Sequence, residues 1–423
     1  MKPFNLTLRV AFATIFLLCA REVRAAELSF GDALSLLAGN SLTSRRDDAS
    51  LEAARGREKQ GKQVFLPEVS ASAQQSRGGE LSGPVGSERD VGLKATLNLY
   101  RFGADEAGRQ LSQQVVVSAE ATVAAELQKR ERDGAEKLIA LVGARQILDL
   151  EKRFIEIKKR SVEVVKKLYE RGTKASQEVE KLQIELGQEE MTLQAAAVSA
   201  EDAYDEARKL ADRDFEMKSE WPWKDLLRGA KAQELTIRPA GPDAERQRLS
   251  YLVAAAEAGT AKARAAGLPS LDLGSRYDWQ QLIETPDINR TWSVALSLTV
   301  PLYQRGQSQS GLLDQVAARE AAAVDLALYE RSKPAALASA RRTLALTVKG
   351  LLTNEDLAAR SRALYETSQQ AFQRGVLSVN DLSADQLRYL SVERSVIESW
   401  KRAHLAIVEV CRELGMRLGE CVR

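Results

Sequence analysis

Hydrophobic positions along the chain change period, and the change then occurs a second time. From Gly103 to about Glu170, and again from Gly306 to about Phe372, Ala, Glu, Leu, Lys, Gln and Arg fill the sequence with few breakers, as in extended coiled-coil helices. At 1.5 Å per residue each stretch predicts a helix roughly 100 Å long, far beyond what a compact domain can use. Such a helix must run along a rod or a tube. Shorter helical patterns precede the long ones, at about 30–61 and 242–266, and return helices follow at about 176–212 and 379–415. One short helix and one return helix, stacked end to end, match one long helix and complete an even two-helix layer.

Ahead of each long helix the period falls to two. Val91, Leu93, Ala95, Leu97 and Leu99 alternate with Gly92, Lys94, Thr96 and Asn98, and Trp292, Val294, Leu296, Leu298 and Val300 alternate with Ser293, Ala295, Ser297 and Thr299. Val69 to Arg77 and Leu271 to Trp279 share this alternation, so strands are predicted over about 64–77, 89–100, 268–281 and 290–302. Apolar alternation over about ten residues is the mark of a transmembrane β-strand. Tyr100, Trp279, Trp292 and Tyr303 fall near strand ends, where an aromatic girdle would meet the membrane interface.

The landmarks recur about 203 residues apart: Tyr100-Arg101-Phe102-Gly103 returns as Tyr303-Gln304-Arg305-Gly306, and Arg171-Gly172 as Arg374-Gly375. Phe65-Leu66-Pro67 returns as Gly267-Leu268-Pro269, one residue short of that register. The chain therefore divides into residues 1–25, a first repeat over 26–214, a linker over 215–241, a second repeat over 242–415 and a tail over 416–423. The 215–241 segment, with Trp221-Pro222-Trp223, is expected to lie outside the helical layer as a linker or small mixed subdomain. Pro334 within the second long helix, and Gly134 near the equivalent place in the first, predict a mid-helix kink. Four strands cannot close a barrel, because small membrane barrels need about eight and an open edge cannot face lipid. Three chains sharing one barrel would supply twelve.

Residues 1–25 carry Lys2, Arg9, an apolar run from Val10 to Ala20, and Val23-Arg24-Ala25 as a cleavage site, which reads as a secretory signal peptide. Cleavage would leave a near-neutral chain, since the whole carries 61 basic against 59 acidic residues. No basic block stands out, so composition argues against a nucleic-acid partner. Two cysteines would remain, Cys411 and Cys421, in a compartment that permits oxidation. They either close a short loop by disulfide or stay as thiols at a frayed terminus.

Material for catalysis is poor. His404 is the only histidine and reads as a surface or interface residue, and acidic pairs such as Glu189-Glu190 read as solvated helix faces. No Gly-x-Ser-x-Gly, Cys-x-x-Cys, metal-binding His pair or phosphate-cradling Gly loop is present, so no enzyme, cofactor or metal is expected.

Taken together, Leu97-Asn98-Leu99-Tyr100-Arg101-Phe102-Gly103, its echo Val300-Pro301-Leu302-Tyr303-Gln304-Arg305-Gly306, and the twin turns at Gly172 and Gly375 resemble the TolC-like family of outer-membrane efflux and secretion channels. The resemblance spans nearly the whole mature chain. It implies a mainly α fold with a β-barrel portion, in which each tandem repeat adds a transmembrane β-hairpin to long coiled-coil helices. Three chains would share one 12-stranded barrel and a periplasmic α-helical tunnel. It further implies an outer-membrane location in a Gram-negative cell, a periplasmic adaptor protein, and an inner-membrane pump of RND, ABC or MFS type. Arg171, Gly172, Ser176, Arg374, Gly375 and Ser378 would then meet the adaptor, and Gln177, Glu178, Phe372, Leu377, Asp381 and Asp385 would border the entrance. The family's second entrance carboxylate would fall at Ala384, with Asp385 one position on and about 100° away around the helix. Phe372 and Leu377 stand where the family's latch uses a tyrosine and an arginine, so closure here is expected to rest on apolar packing. Ser176 and Ser378 also read simply as helix caps. A passive conduit and a barrel-anchored structural or adhesive stalk are the two functional classes that fit. A wet strand face and paired helix tips favour the conduit.

Overall fold

The computed structural model describes residues 27–39, 42–78, 86–228, 234, 243–282, 288–303 and 305–422. The signal-peptide reading of residues 1–25, and most of the linker after residue 228, lie outside the described residues. In chain order the elements are α1 (Phe30–Gly39), α2 (Leu42–Lys62), β1 (Glu68–Gly78), β2 (Gly86–Tyr100), α3 (Ala104–Glu170), α4 (Ser176–Ala211) and α5 (Lys224–Arg228). Then follow α6 (Ala244–Ala265), β3 (Ser270–Leu282), β4 (Ile288–Thr299), α7 (Gln307–Gln373), α8 (Val379–Glu413) and α9 (Leu418–Cys421). The long helices α3 and α7 each contain 67 residues, which is about 100 Å of rod.

The four strands form one antiparallel sheet in the order β1-β2-β3-β4, so the two hairpins are joined through β2 and β3. β4 ends at Thr299 rather than near 302, because Pro301 has no N–H to continue a ladder. At each strand-to-helix junction two consecutive residues enter left-handed backbone: Phe102 and Gly103 (φ 48° and 90°), then Arg305 and Gly306 (φ 51° and 78°). Glycine makes the second of these positions cheap, and the chain turns there from sheet into rod.

The helices form two antiparallel pairs, α3 with α4 and α7 with α8, joined laterally where α3 touches α8. Near the sheet, α2 lies on α3 while α6 fills the space between α3 and α7. No helix among the described residues is long and apolar enough to cross a membrane. Midway along the rod sits the main core. There Leu138, Ile139, Leu141 and Val142 of α3 are fully buried among Leu37 of α1, Leu227 of α5 and Ile407 of α8. Each such side chain contributes about 1.5–3 kcal/mol.

This core bears on several expectations. The described part of the linker packs onto the helices: Phe215, Met217, Trp221 and Leu227 are buried in the core, and Met217 bridges to Leu28. At Gly134 a Cβ would lie 3.3 Å from both Leu34 and Leu37, so the missing side chain lets α1 approach α3. α7 runs unbroken through Pro334. His404 is fully buried against Trp221, Trp223 and Trp400, and its ring nitrogens face the carbonyl oxygens of Trp400 and Pro222. Cys411 and Cys421 form a disulfide and are buried, so the terminus is pinned, with Arg417 paired to Glu131 of α3.

Candidate conduit wall and tips

Cross-strand partners share a face, so the register sorts the sheet's side chains. Leu93 stands opposite Ala71 and Tyr277, and Tyr277 opposite Trp292. Leu97 stands opposite Leu273, and Leu273 opposite Leu296. That face is apolar and open: Trp292, Val294, Leu296 and Leu298 are all more than 60% exposed. The other face carries Ser70, Ser72, Gly92, Lys94, Thr96, Asn98, Arg276, Asp278 and Ser297. There Arg276 binds Asp278 at 2.6 Å and approaches Asp90 at 3.7 Å, while Asn98 bonds Asp105 of α3 at 2.5 Å.

The aromatics fall into two groups. Tyr100 packs on Phe102 at 4.7 Å, and the exposed Tyr303 lies just beyond β4, both at the helix end of the sheet. Trp279 packs on Tyr277 at 4.4 Å, and Trp292 is paired with Tyr277, both toward the far end. Trp279 is level with Val91, nine residues along β2 from Tyr100. At about 3.4 Å per residue and a tilt of about 40°, this gives an apolar band roughly 23 Å tall, close to that of a membrane barrel.

At the opposite end of the rods, the two tips are built alike. Gly172 and Gly375 adopt φ of 73° and 75°. Gly172 N–H donates to the Tyr169 carbonyl and Thr173 N–H to Leu168, while Gly375 N–H donates to Phe372 and Val376 N–H to Ala371. Both are Schellman closures, which satisfy the last carbonyls of the long helices. Neither glycine has another atom within 4 Å of where a Cβ would stand, so these turns present bare, open backbone. Arg171 and Arg374 are the adjoining C-caps and are exposed.

The restarts differ. Ser378 caps α8, accepting from Asp381 N–H at 3.2 Å and donating to the Asp381 carboxylate at 2.6 Å. Ser176, expected as a cap, is instead the first residue of α4, and the capping position is Ala175, whose methyl cannot accept a hydrogen bond. Glu178 pairs with Lys174 at 3.3 Å, and Gln177 is exposed. Asp385 is held by Ser368 at 2.6 Å and Arg388 at 2.9 Å, so its charge is tied down locally. Phe372 is buried with Val165, Leu182, Tyr365, Val379 and Leu382, and Leu377 packs at the edge of this apolar cluster. Lys174 reaches across from the other tip to the Phe372 ring, 5.9 Å from its centroid.

Above the tips runs a seam of buried polar contacts that joins α3 and α4 to α8. Lys158 is fully buried, with its Nζ 2.7 Å from Glu185 and 3.1 Å from Ser383, which itself bonds Glu185. Burial pushes the Glu185 carboxyl up, but the bonds from Lys158 and Ser383 outweigh it and leave it below the usual carboxylate range. Gln386 donates to Ser161 at 2.8 Å, and Arg394 binds the buried Glu151 at 2.6 Å. Glu189 is not on a solvated face: it lies 3.7 Å from Arg394, and burial pushes its carboxyl up. The sequence does signal this seam. Glu151 and Lys158 sit seven residues apart within the apolar stripe of Phe154, Ile155 and Val165.

A two-pair helical rod thus carries a four-stranded sheet that is apolar on one face and polar on the other. The chain has the TolC-like channel fold. CusC superposes with a TM-score of 0.76 at 15% identity, over 93% of each chain. The Campylobacter jejuni outer-membrane channel CmeC gives 0.75 at 15% identity, over 91% of this chain and 85% of that one. The open state of the Neisseria gonorrhoeae outer-membrane channel MtrE gives 0.73 at 18% identity, over 92% and 89%. No protein-family model and no curated protein matches the sequence.

Proposed function

We propose that this chain is the outer-membrane exit duct of a tripartite efflux pump or type I secretion system, a passive trimeric channel that docks a periplasmic adaptor and an inner-membrane transporter. The sheet carries the reading. Its apolar face suits lipid, its polar face suits a wet lumen, and its outer strands β1 and β4 have free edges within one chain. Free edges cannot remain in a bilayer, so copies must pair β4 of one chain with β1 of the next. The rods support the same arrangement. Ile184, Met191 and Val198 expose a seven-residue stripe on α4, and Leu346, Leu357 and Leu364 stay exposed on α7. In a ring of three, these helices at the two sides of the protomer would cover one another.

The tips would be the adaptor contact and entrance, through Gly172 and Gly375 with Arg171 and Arg374, and Asp381 would face the mouth. Phe372 and Leu377 would hold the entrance shut by apolar packing.

Single-channel recording of the purified protein in a planar bilayer tests this function. The expected result is small cation-selective events that lose selectivity in Asp381→Asn. Silence from a confirmed trimer, persisting when Phe372→Ala and Leu377→Ala loosen the tips, would overturn the conduit.

A further inference from the structure

The register divides the sheet's charges by face as well as its apolar residues. The described strand acids Glu68, Glu88, Asp90, Asp272 and Asp278 all lie on the polar face with Lys94 and Arg276. The apolar face carries only cations: Arg77, Arg89 and Arg290. All three lie at the far end. Arg290 is directly opposite Trp279, Arg89 is opposite Gln75 and Gln281 one row further out, and Arg77 is beside Ser87 one row beyond that.

All three arginines are exposed, and none has a carboxylate partner among the described residues. Arg89 reaches only the Gln75 amide, at 3.4 Å. Rows on one face are two residues apart, about 7 Å along the strand and about 5 Å along the membrane normal at barrel tilt. The guanidinium groups therefore begin at the Trp279 edge of the apolar band and extend outward through the depth of lipid phosphates. A guanidinium matches a phosphate with two parallel N–H donors, and a belt of cations without acids suits an anionic surface.

We propose that Arg77, Arg89 and Arg290 form a binding belt for the phosphate headgroups of anionic lipids in the leaflet that surrounds the far end of the sheet. The inference rests on the membrane-spanning reading of the sheet. In a trimer the belt holds nine guanidinium groups from the Trp279 level outward, where the lipid partner is fixed in depth by the aromatics.

The test is titration of the purified full-length trimer with phosphatidylglycerol, against phosphatidylcholine and inorganic phosphate, read by native mass spectrometry and melting temperature. Wild type should retain phosphatidylglycerol in preference to phosphatidylcholine, and free phosphate should give no shift. The triple variant Arg77→Gln, Arg89→Gln, Arg290→Gln should lose about tenfold or more in phosphatidylglycerol affinity, while the triple Arg→Lys variant keeps most of it. Lys94→Gln, a cation on the opposite face, should change nothing. Equal binding by the wild type and the triple Gln variant, both confirmed as trimers, would overturn the belt. Equal loss in Lys94→Gln would overturn the assignment of faces. A wild-type protein that does not insert into bilayers at all would instead overturn the membrane-spanning reading itself.

Discussion

The two halves of the chain agree closely at their ends and diverge in the middle. α3 and α7 have the same length and begin and end 203 residues apart, between glycines of matching conformation. Yet at that offset the buried Leu138 and Ile139 of α3 become Arg341 and Arg342 of α7, and the buried Lys158 becomes Ser361. The reason is what lies alongside. Among the described elements, α1 packs on α3 and α4, the segment around Trp221 touches both α3 and α8, and α9 is tied to α8 by the Cys411–Cys421 disulfide and to α3 by Arg417 and Glu131. Local turn chemistry persists wherever the chain must reverse. Side-chain size and charge follow the particular neighbours of each helix.

The largest asymmetry is expected at the buried cation. Lys158→Met should destabilise the protein by about 3 kcal/mol, because it leaves Glu185 without its main partner, while Ser361→Ala should cost under about 1 kcal/mol. Guanidinium unfolding in detergent distinguishes the two, and equal effects would mean that the seam is not specific to the first half. Leu138→Ala should cost about 2–5 kcal/mol by opening a cavity, against about 0.5 kcal/mol or less for the exposed Arg342→Ala, read from the same curves.

The tips should instead behave as equals. Gly172→Val and Gly375→Val each force a β-branched residue into left-handed backbone at about 1–3 kcal/mol, and both should block export while trimers still form. Export assays that separate the two variants would break the symmetry of the turns.

His404 is a linker contact made by a second-half helix, and it should show in the pH dependence. Burial, set against the bonds to the Trp400 and Pro222 carbonyls, holds its pKa below the ordinary histidine value. The folded state therefore binds fewer protons than the unfolded one, and stability should fall as pH drops below about 6.5. Melting temperature between pH 7.5 and 5.5 should decline less in His404→Gln. Smallest is the cap difference: Ser378→Ala should cost about 1 kcal/mol, and Ala175→Ser should gain a few tenths to 1 kcal/mol.

What could be read from the sequence follows the same division. Strand faces, the bounds of the long helices and the twin glycines depend on neighbours close in the chain, and their periods are visible. Ser176 was misplaced by one position because a serine near a helix start resembles a cap wherever it falls in the first turn. The burial of His404, the docking of Trp221 and the packing role of Gly134 depend on residues more than 70 positions away, which no local period encodes. Lys158 lies between. Its place within an apolar stripe was visible, but its partners Glu185 and Ser383, on two other helices, were not.

The joining of β2 to β3 also sets an order of events. Each hairpin pairs strands close in sequence, but the junction between hairpins pairs Glu88 with Leu282, across nearly the whole of the first rod. Closing so distant a contact is slow, and the first hairpin must wait with its apolar face uncovered while some 190 residues follow it. An exposed edge of this kind is prone to wrong pairing with other chains. Assembly should therefore be limited by the arrival of the second hairpin, and circular permutation that brings β2 and β3 together in sequence should shorten the vulnerable interval.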